Sequence, residues 1–114
     1  MMKRILVANR GEIAVRIIRS CREMGIETVA IYAEEDADAL HTQLADQSIC
    51  IGRGDVRKSY LNISNVVSAA LLTGADAVHP GYGFLSENAT FARTLQNVGL
   101  VFIGPDPDII DRMG

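Results

Sequence analysis

"KRILVANRGEIAVRIIRSCREMG", Lys3 to Gly25, is the stretch that decides the fold. Its first seven residues, Lys3 to Asn9, run leucine and β-branched side chains together without polar alternation, the pattern of a short strand buried on both faces. After "RGE" the pattern changes. Ile13, Ala14, Ile17, Ile18, Cys21 and Met24 fall on one face at about 100° per residue, and Glu12, Arg16, Arg19 and Glu23 fall on the opposite face. Gly25 suits the residue just past a helix end. A buried strand, a tight turn and an amphipathic helix make the first half of a βαβ unit.

Working outward, the same alternation recurs. Glu27 to Ala33 reads as a second buried strand running into an acidic loop, "EEDAD". Ala37 to Asp46 reads as a short, weakly patterned helix, and Gln47 to Gly52 as a third strand. "RGDVRKSY" reads as a polar loop. Asn62 is a suitable N-cap for "ISNVVSAALLT", a helix ending before Gly74. "DAVHP" is the fourth strand. A helix then starts near Ser86 to Asn88, with Phe91, Ala92, Leu95 and Val98 on one face and Gly99 at its end. Leu100 to Gly104 is the fifth strand, and "PDPDIIDRMG" opens a last helix, with Asp106 as cap and Pro107 in the first helical position. Short apolar strands alternating with helices predict an α/β fold, a doubly wound five-stranded parallel sheet covered on both faces and forming one domain over residues 1–114.

Composition excludes several classes. With 48% hydrophobic and 22% charged residues, the 114-residue chain has the balance of a folded domain and not of a disordered one. A net charge of −3 gives no electrostatic footprint for nucleic acid. No apolar run reaches membrane-spanning length, and the apolar run after "MMKR" is too short for a signal peptide, so a cytoplasmic protein is expected. Cys21 and Cys50 lie far apart, are expected as buried thiols, and have no metal-site spacing.

A doubly wound sheet carries function in the loops at the carboxyl ends of its strands. "ANRGE" holds one glycine and matches neither a dinucleotide fingerprint nor a P-loop. It reads as a tight turn at Gly11 with Glu12 well placed at a helix N-terminus, the alternative being a positioning or interface role. "EEDAD" reads as a solvated acidic loop. "HPGYGFLSEN", His79 to Asn88, holds more. His79 closes a strand as a buried, hydrogen-bonded side chain, and Pro80 fixes the chain direction. Gly81 and Gly83 suit positive φ or close approach of a ligand. The residues alone leave a ligand-facing loop and a simple turn both open.

Four stretches together resemble one family: "ILVANRGEIAVRIIR" (Ile5 to Arg19), "YLNI" (Tyr60 to Ile63), "VHPGYGFLSEN" (Val78 to Asn88) and "FIGP" (Phe102 to Pro105). In order and spacing they resemble the N-terminal domain of the biotin carboxylases, a Rossmann-like domain that precedes an ATP-grasp fold. The resemblance implies an ATP-dependent ligase in which ATP, bicarbonate and carrier-linked biotin give carboxybiotin, ADP and phosphate, with magnesium or manganese on the nucleotide. It implies that Gly81, Tyr82 and Gly83 line the biotin side of the site and that Arg19 and Glu23 belong to a homodimer surface; Ser86, Glu87 and Asn88 read as helix capping residues. The partners implied are the ATP-grasp and C-terminal domains, a biotin carboxyl carrier protein and a second copy. The family's nucleotide, metal and bicarbonate ligands would lie beyond Gly114, so no catalytic or metal-binding residue is carried over. The isolated chain is expected to be a truncated domain, inactive and without bound cofactor. The lack of a targeting segment points to acetyl-CoA carboxylase and fatty acid synthesis. The same domain from a pyruvate or propionyl-CoA carboxylase, and an independent nucleotide- or effector-binding module of flavodoxin-like build, are the alternatives.

Overall fold

The computed structural model describes residues 2–104. Strands β1 (Arg4–Val7), β2 (Glu27–Tyr32), β3 (Gln47–Cys50), β4 (Ala77–His79) and β5 (Val101–Phe102) form one all-parallel sheet in the order β3-β2-β1-β4-β5. The helices between them are α1 (Gly11–Glu23), α2 (Leu40–Leu44), α3 (Ile63–Leu72) and α4 (Ala89–Asn97), and this is the doubly wound α/β architecture expected.

Strand alternation divides the core. Leu6, Ala8, Val29, Ile31 and Val78 point to the face covered by Val66 and Ala70 of α3 and Phe91 and Leu95 of α4. Ile5, Val7, Ala30 and Ala77 point to the other face, where Ala14, Ile18 and Cys21 of α1 pack. Phe91 is fully buried and meets Phe102 edge to face, the ring centroids 6.0 Å apart. The helix starts are capped as their sequence suggests: the side chains of Asn62 and Asn88 accept the backbone N–H of Asn65 and Phe91 at 3.0 and 2.9 Å. A further tie joins the strands' amino ends. The Asp76 carboxylate accepts the backbone N–H groups of Lys3 and Arg4, both at 2.9 Å, and these bonds hold its pKa below the usual carboxylate range.

Several local expectations change. β3 is an edge strand whose residues are mostly exposed, so Cys50 is an exposed thiol while Cys21 is buried. Met24 lies past the last turn of α1 and is 73% exposed, and Val15 takes a place in the core instead. Val98 is likewise the exposed C-cap of α4. The second helix shrinks to Leu40–Leu44, and "EEDAD" contains a short 3-10 turn, Glu34–Asp36. "RGDVRKSY" is no plain polar loop: Val56–Lys58 form a 3-10 turn, and Ser59 and Tyr60 are fully buried. The helix expected from Asp106 and Pro107 lies outside the described residues.

Removing the Phe91 ring opens a cavity between α4, β5 and the sheet. Phe91→Ala should cost about 3–5 kcal/mol of unfolding free energy, measured by urea denaturation. A loss under about 1 kcal/mol would mean that the core closes around the gap.

Candidate functional site

The strand order reverses at β1, which pairs with β2 on one edge and β4 on the other. A parallel sheet opens a crevice outside the carboxyl ends of its strands at such a switch point. Here the loops after β1 and β4, "ANRGE" and "HPGYGFLSEN", lie side by side.

The loop after β4 is built from left-handed turns. Gly81, Gly83 and Phe84 have φ of +66°, +69° and +46°. The two glycines do different work. A Cβ on Gly81 would lie 2.8 Å from Ile13 Cγ2 and 2.9 Å from Asn9 Nδ2, so Gly81 is the place where the loop presses onto β1 and α1. A Cβ on Gly83 would meet nothing within 4 Å. Between them the Tyr82 side chain stands 79% exposed. The expected trio thus divides into an inward Gly81 and an outward Tyr82 and Gly83, which present a flat ring beside backbone that a ligand can approach.

His79, half-buried at the end of β4, accepts the Gly81 N–H on Nδ1 at 3.1 Å. Burial lowers its pKa. A neutral ring with a free lone pair on Nδ1 is the form this bond requires. Neighbouring Asn9 is fully buried, and its side-chain amide donates to the carbonyls of Pro80 and Tyr82 at 2.8 and 2.6 Å.

Phe84 is the loop's far anchor. Its ring stacks on Tyr60 with centroids 5.2 Å apart, and the Arg10 guanidinium lies 5.4 Å from the Tyr60 centroid and 5.9 Å from that of Phe84. Tyr60 Oη accepts the Ala33 N–H at 3.1 Å and donates to Asp36 at 2.7 Å, and Arg10 pairs with Asp36 at 3.4 Å. Burial pushes the Tyr60 phenol up, so it stays a donor. The acidic loop is therefore not simply solvated: Asp36 ties it to Arg10 of the first loop and to Tyr60, which stacks on Phe84 of the fourth. Asn9, Arg10, Asp36 and Tyr60 were not candidate site residues on sequence grounds. The available signal was Tyr60 itself, an aromatic ring at the end of a stretch too polar to bury one.

Beside this loop an apolar groove of about 800 Å³ runs along α1. It extends from His79, Gly81 and Tyr82 past Ile13 and Ile17 to Met24 and Ile103. Along the same groove, Arg16 pairs with Glu12 at 3.3 Å, both side chains largely exposed. Arg19 and Glu23 are exposed, and neither has an ion-pair partner among the described residues. No group of three or more His, Cys, Asp or Glu side chains among the described residues could hold a metal ion, and no helix there is long and apolar enough to cross a membrane.

The model of the family "Biotin carboxylase, N-terminal domain" matches residues 1–110. Biotin carboxylase 1 of Bacillus subtilis (strain 168) is 61% identical over 114 residues, which are 100% of this chain and 25% of that protein. Among solved structures, the biotin carboxylase domain of a thermophilic 2-oxoglutarate carboxylase bound to ADP superposes with a TM-score of 0.96 at 52% identity, covering 100% of this chain and 25% of that one. A complete multifunctional pyruvate carboxylase from Rhizobium etli gives 0.94 at 49% identity, covering 99% of this chain and 12% of that one. The chain spans about a quarter of the length of the curated relatives it matches. It belongs to the family of biotin carboxylase N-terminal domains.

The His79 geometry gives a pH dependence with a definite sign. With its folded-state pKa lowered, the unfolded chain, near about 6.5, takes up the proton first. The stabilisation is complete above that value and is lost as pH falls below it. Between about pH 7.5 and about pH 5.5, the unfolding free energy of the wild type should fall further than that of His79→Gln. Equal losses in urea titrations at the two pH values would exclude a depressed His79.

Proposed function

We propose that this chain is the N-terminal domain of a biotin carboxylase, which uses ATP and bicarbonate to carboxylate biotin on a carrier protein, and that its Tyr82–Gly83 turn lines the biotin side of the active site. The observation that carries the reading is the pairing of an exposed Tyr82 ring with an unobstructed Gly83 at the switch point of the sheet. A flat ureido ring can approach backbone only where no side chain stands in the way, and an aromatic wall adds apolar contact at small entropic cost. Gly81 serves the same turn from inside.

The single-domain reading of residues 1–114 is part of the proposal, as are the partners: ATP-grasp and C-terminal domains, a biotin carboxyl carrier protein and a second copy. ATP, with magnesium or manganese, is assigned to those other domains. The cations beside the loop are already engaged, Arg10 with Asp36 and Arg16 with Glu12, and gather no charge for a triphosphate. In the full enzyme the nucleotide and metal supply the activation of bicarbonate, while this chain's residues orient biotin. The same domain occurs in proteins named for 2-oxoglutarate and pyruvate, so the acceptor is set elsewhere. Acetyl-CoA, with a cytoplasmic location and a place in fatty acid synthesis, is our reading of it. A chain that matches the family over residues 1–110 leaves little room for an independent effector-binding module.

Gly83→Val adds a branched side chain at a φ of +69° in the space reserved for the ring. In the full-length enzyme it should lower kcat/KM for biotin by at least about tenfold, a change of about 1.4 kcal/mol, with a much smaller effect on thermal stability. Parallel losses in activity and melting temperature would favour the simple turn.

Arg19 and Glu23 are one helical turn apart, exposed and available to a partner, and an isologous interface presents each of them twice. Arg19→Glu should shift the full-length enzyme from dimer toward monomer in sedimentation velocity. An unchanged profile over a range of concentrations would remove this helix face from the interface.

A further inference from the structure

We propose that Asn9 is a positioning residue for the biotin-facing turn: its side-chain amide fixes where Tyr82 and Gly83 stand without touching substrate. The inference rests on the biotin-facing reading of that turn and extends it to a residue on a different strand end.

Asn9 is 1% exposed at the carboxyl end of β1. Its amide nitrogen lies 2.8 Å from the Pro80 carbonyl and 2.6 Å from the Tyr82 carbonyl. Both neighbours are acceptors only, so the group facing them must be the NH₂, and both of its protons are used. Its carbonyl oxygen accepts the Arg10 N–H at 2.9 Å. The side chain thus spends its whole donor capacity on two carbonyls that flank Gly81. Drawing both carbonyls toward β1 leaves the turn one way to run, with the Tyr82 carbonyl inward and its ring outward. Gly81 makes the approach possible, because any side chain there would strike the same amide nitrogen and Ile13.

Aspartate, leucine and serine do not replace this arrangement. Aspartate would set carboxylate oxygens against two carbonyls. Leucine would leave both carbonyls without their donor. Serine can donate only one hydrogen bond and does not reach as far. A residue whose only task was to fill the end of β1 would have no need of two donors aimed at a single turn.

The test is made in the full-length carboxylase with free biotin as substrate, alongside bicarbonate-driven ATP hydrolysis without biotin. Asn9→Ser should lower kcat/KM for biotin by about tenfold, the scale of losing one or two buried hydrogen bonds. KM for ATP and biotin-independent hydrolysis should stay within about twofold. Gly81→Ala should reproduce that signature by displacing the turn from its other side. The double variant should then be no worse than the worse single, since both act on one displacement. Unchanged biotin kinetics in Asn9→Ser, equal losses in both activities, or additive effects of the two substitutions would each overturn the positioning role. If Asn9→Ser does not yield folded enzyme, Gly81→Ala decides alone: selective loss of biotin turnover supports the proposal, and unchanged biotin turnover overturns it. Tyr82→Ala separates the two layers. If it impairs biotin turnover while Asn9→Ser does not, only the positioning role falls. If Tyr82→Ala and Gly83→Val both leave biotin turnover intact, the biotin-facing reading falls and the positioning role with it.

Discussion

β1 is paired along both edges, with Ile5 opposite Thr28 of β2 and Ala77 of β4, and Val7 opposite Ala30 and His79. Its Leu6 and Val7 are completely buried. A strand so placed has no freedom of register, because a one-residue slip would exchange the two faces of the core. That constraint fixes where the chain leaves the sheet after Val7 and after His79, and hence the distance between the first loop and the fourth. The Ala8 N–H, bonded to the His79 carbonyl at 2.8 Å, carries the pairing one residue past the strand ends. Asn9 then meets the Pro80–Tyr82 turn because the sheet has already brought the two backbones together.

On this base the three loops are tied to one another and not merely adjacent. Phe84 sits at a left-handed φ of +46°, a conformation that costs a side-chain-bearing residue on the order of 1 to 3 kcal/mol. It is held there by the ring of Tyr60 and the guanidinium of Arg10. Tyr60 in turn is fastened to Ala33 and Asp36, so β2's loop bears on β4's loop through a single buried phenol. Contacts of this kind offset strain because stacking and charge-assisted bonding act on the same few atoms. The turn is anchored on both sides, by Asn9 before Gly83 and by Phe84 after it, while Tyr82 and Gly83 are left facing solvent.

How much of this was legible follows from the range of each interaction. α1, α3 and α4, the caps at Asn62 and Asn88 and the parallel alternation are written in periods of a few residues, and they were readable. The edge position of β3 was not. "QSICIG" has the apolar content of a buried strand, and only the strand order reveals that one edge and much of both faces of Gln47–Cys50 remain open. The burial of Tyr60 is not legible in the local sequence, because its partners, Ala33 and Asp36, are 27 and 24 residues away. Asn9 leaves no local mark either: the end of an apolar strand looks alike whether its amide meets water or two carbonyls 71 and 73 residues on. The glycine-flanked Tyr82 did stand out, since local strain leaves a local mark.

The distribution of charge gives the last constraint on what such a site can do. Arg10, which lies over the Phe84 ring, is occupied by Asp36 and two aromatic faces, and the turn itself contributes backbone, a neutral imidazole and a phenol. A surface of this kind has little to offer a polyanion, which needs cations and converging N–H donors. On the proposed reading it holds a flat, uncharged ring in one orientation while charge develops on groups supplied by the other proposed domains. Division of labour follows from this. The domain contributes shape, set by hydrogen bonds between backbone and buried amide. On that reading, the electrostatics fall to the proposed ATP-grasp and C-terminal domains, which do not compete for the same residues.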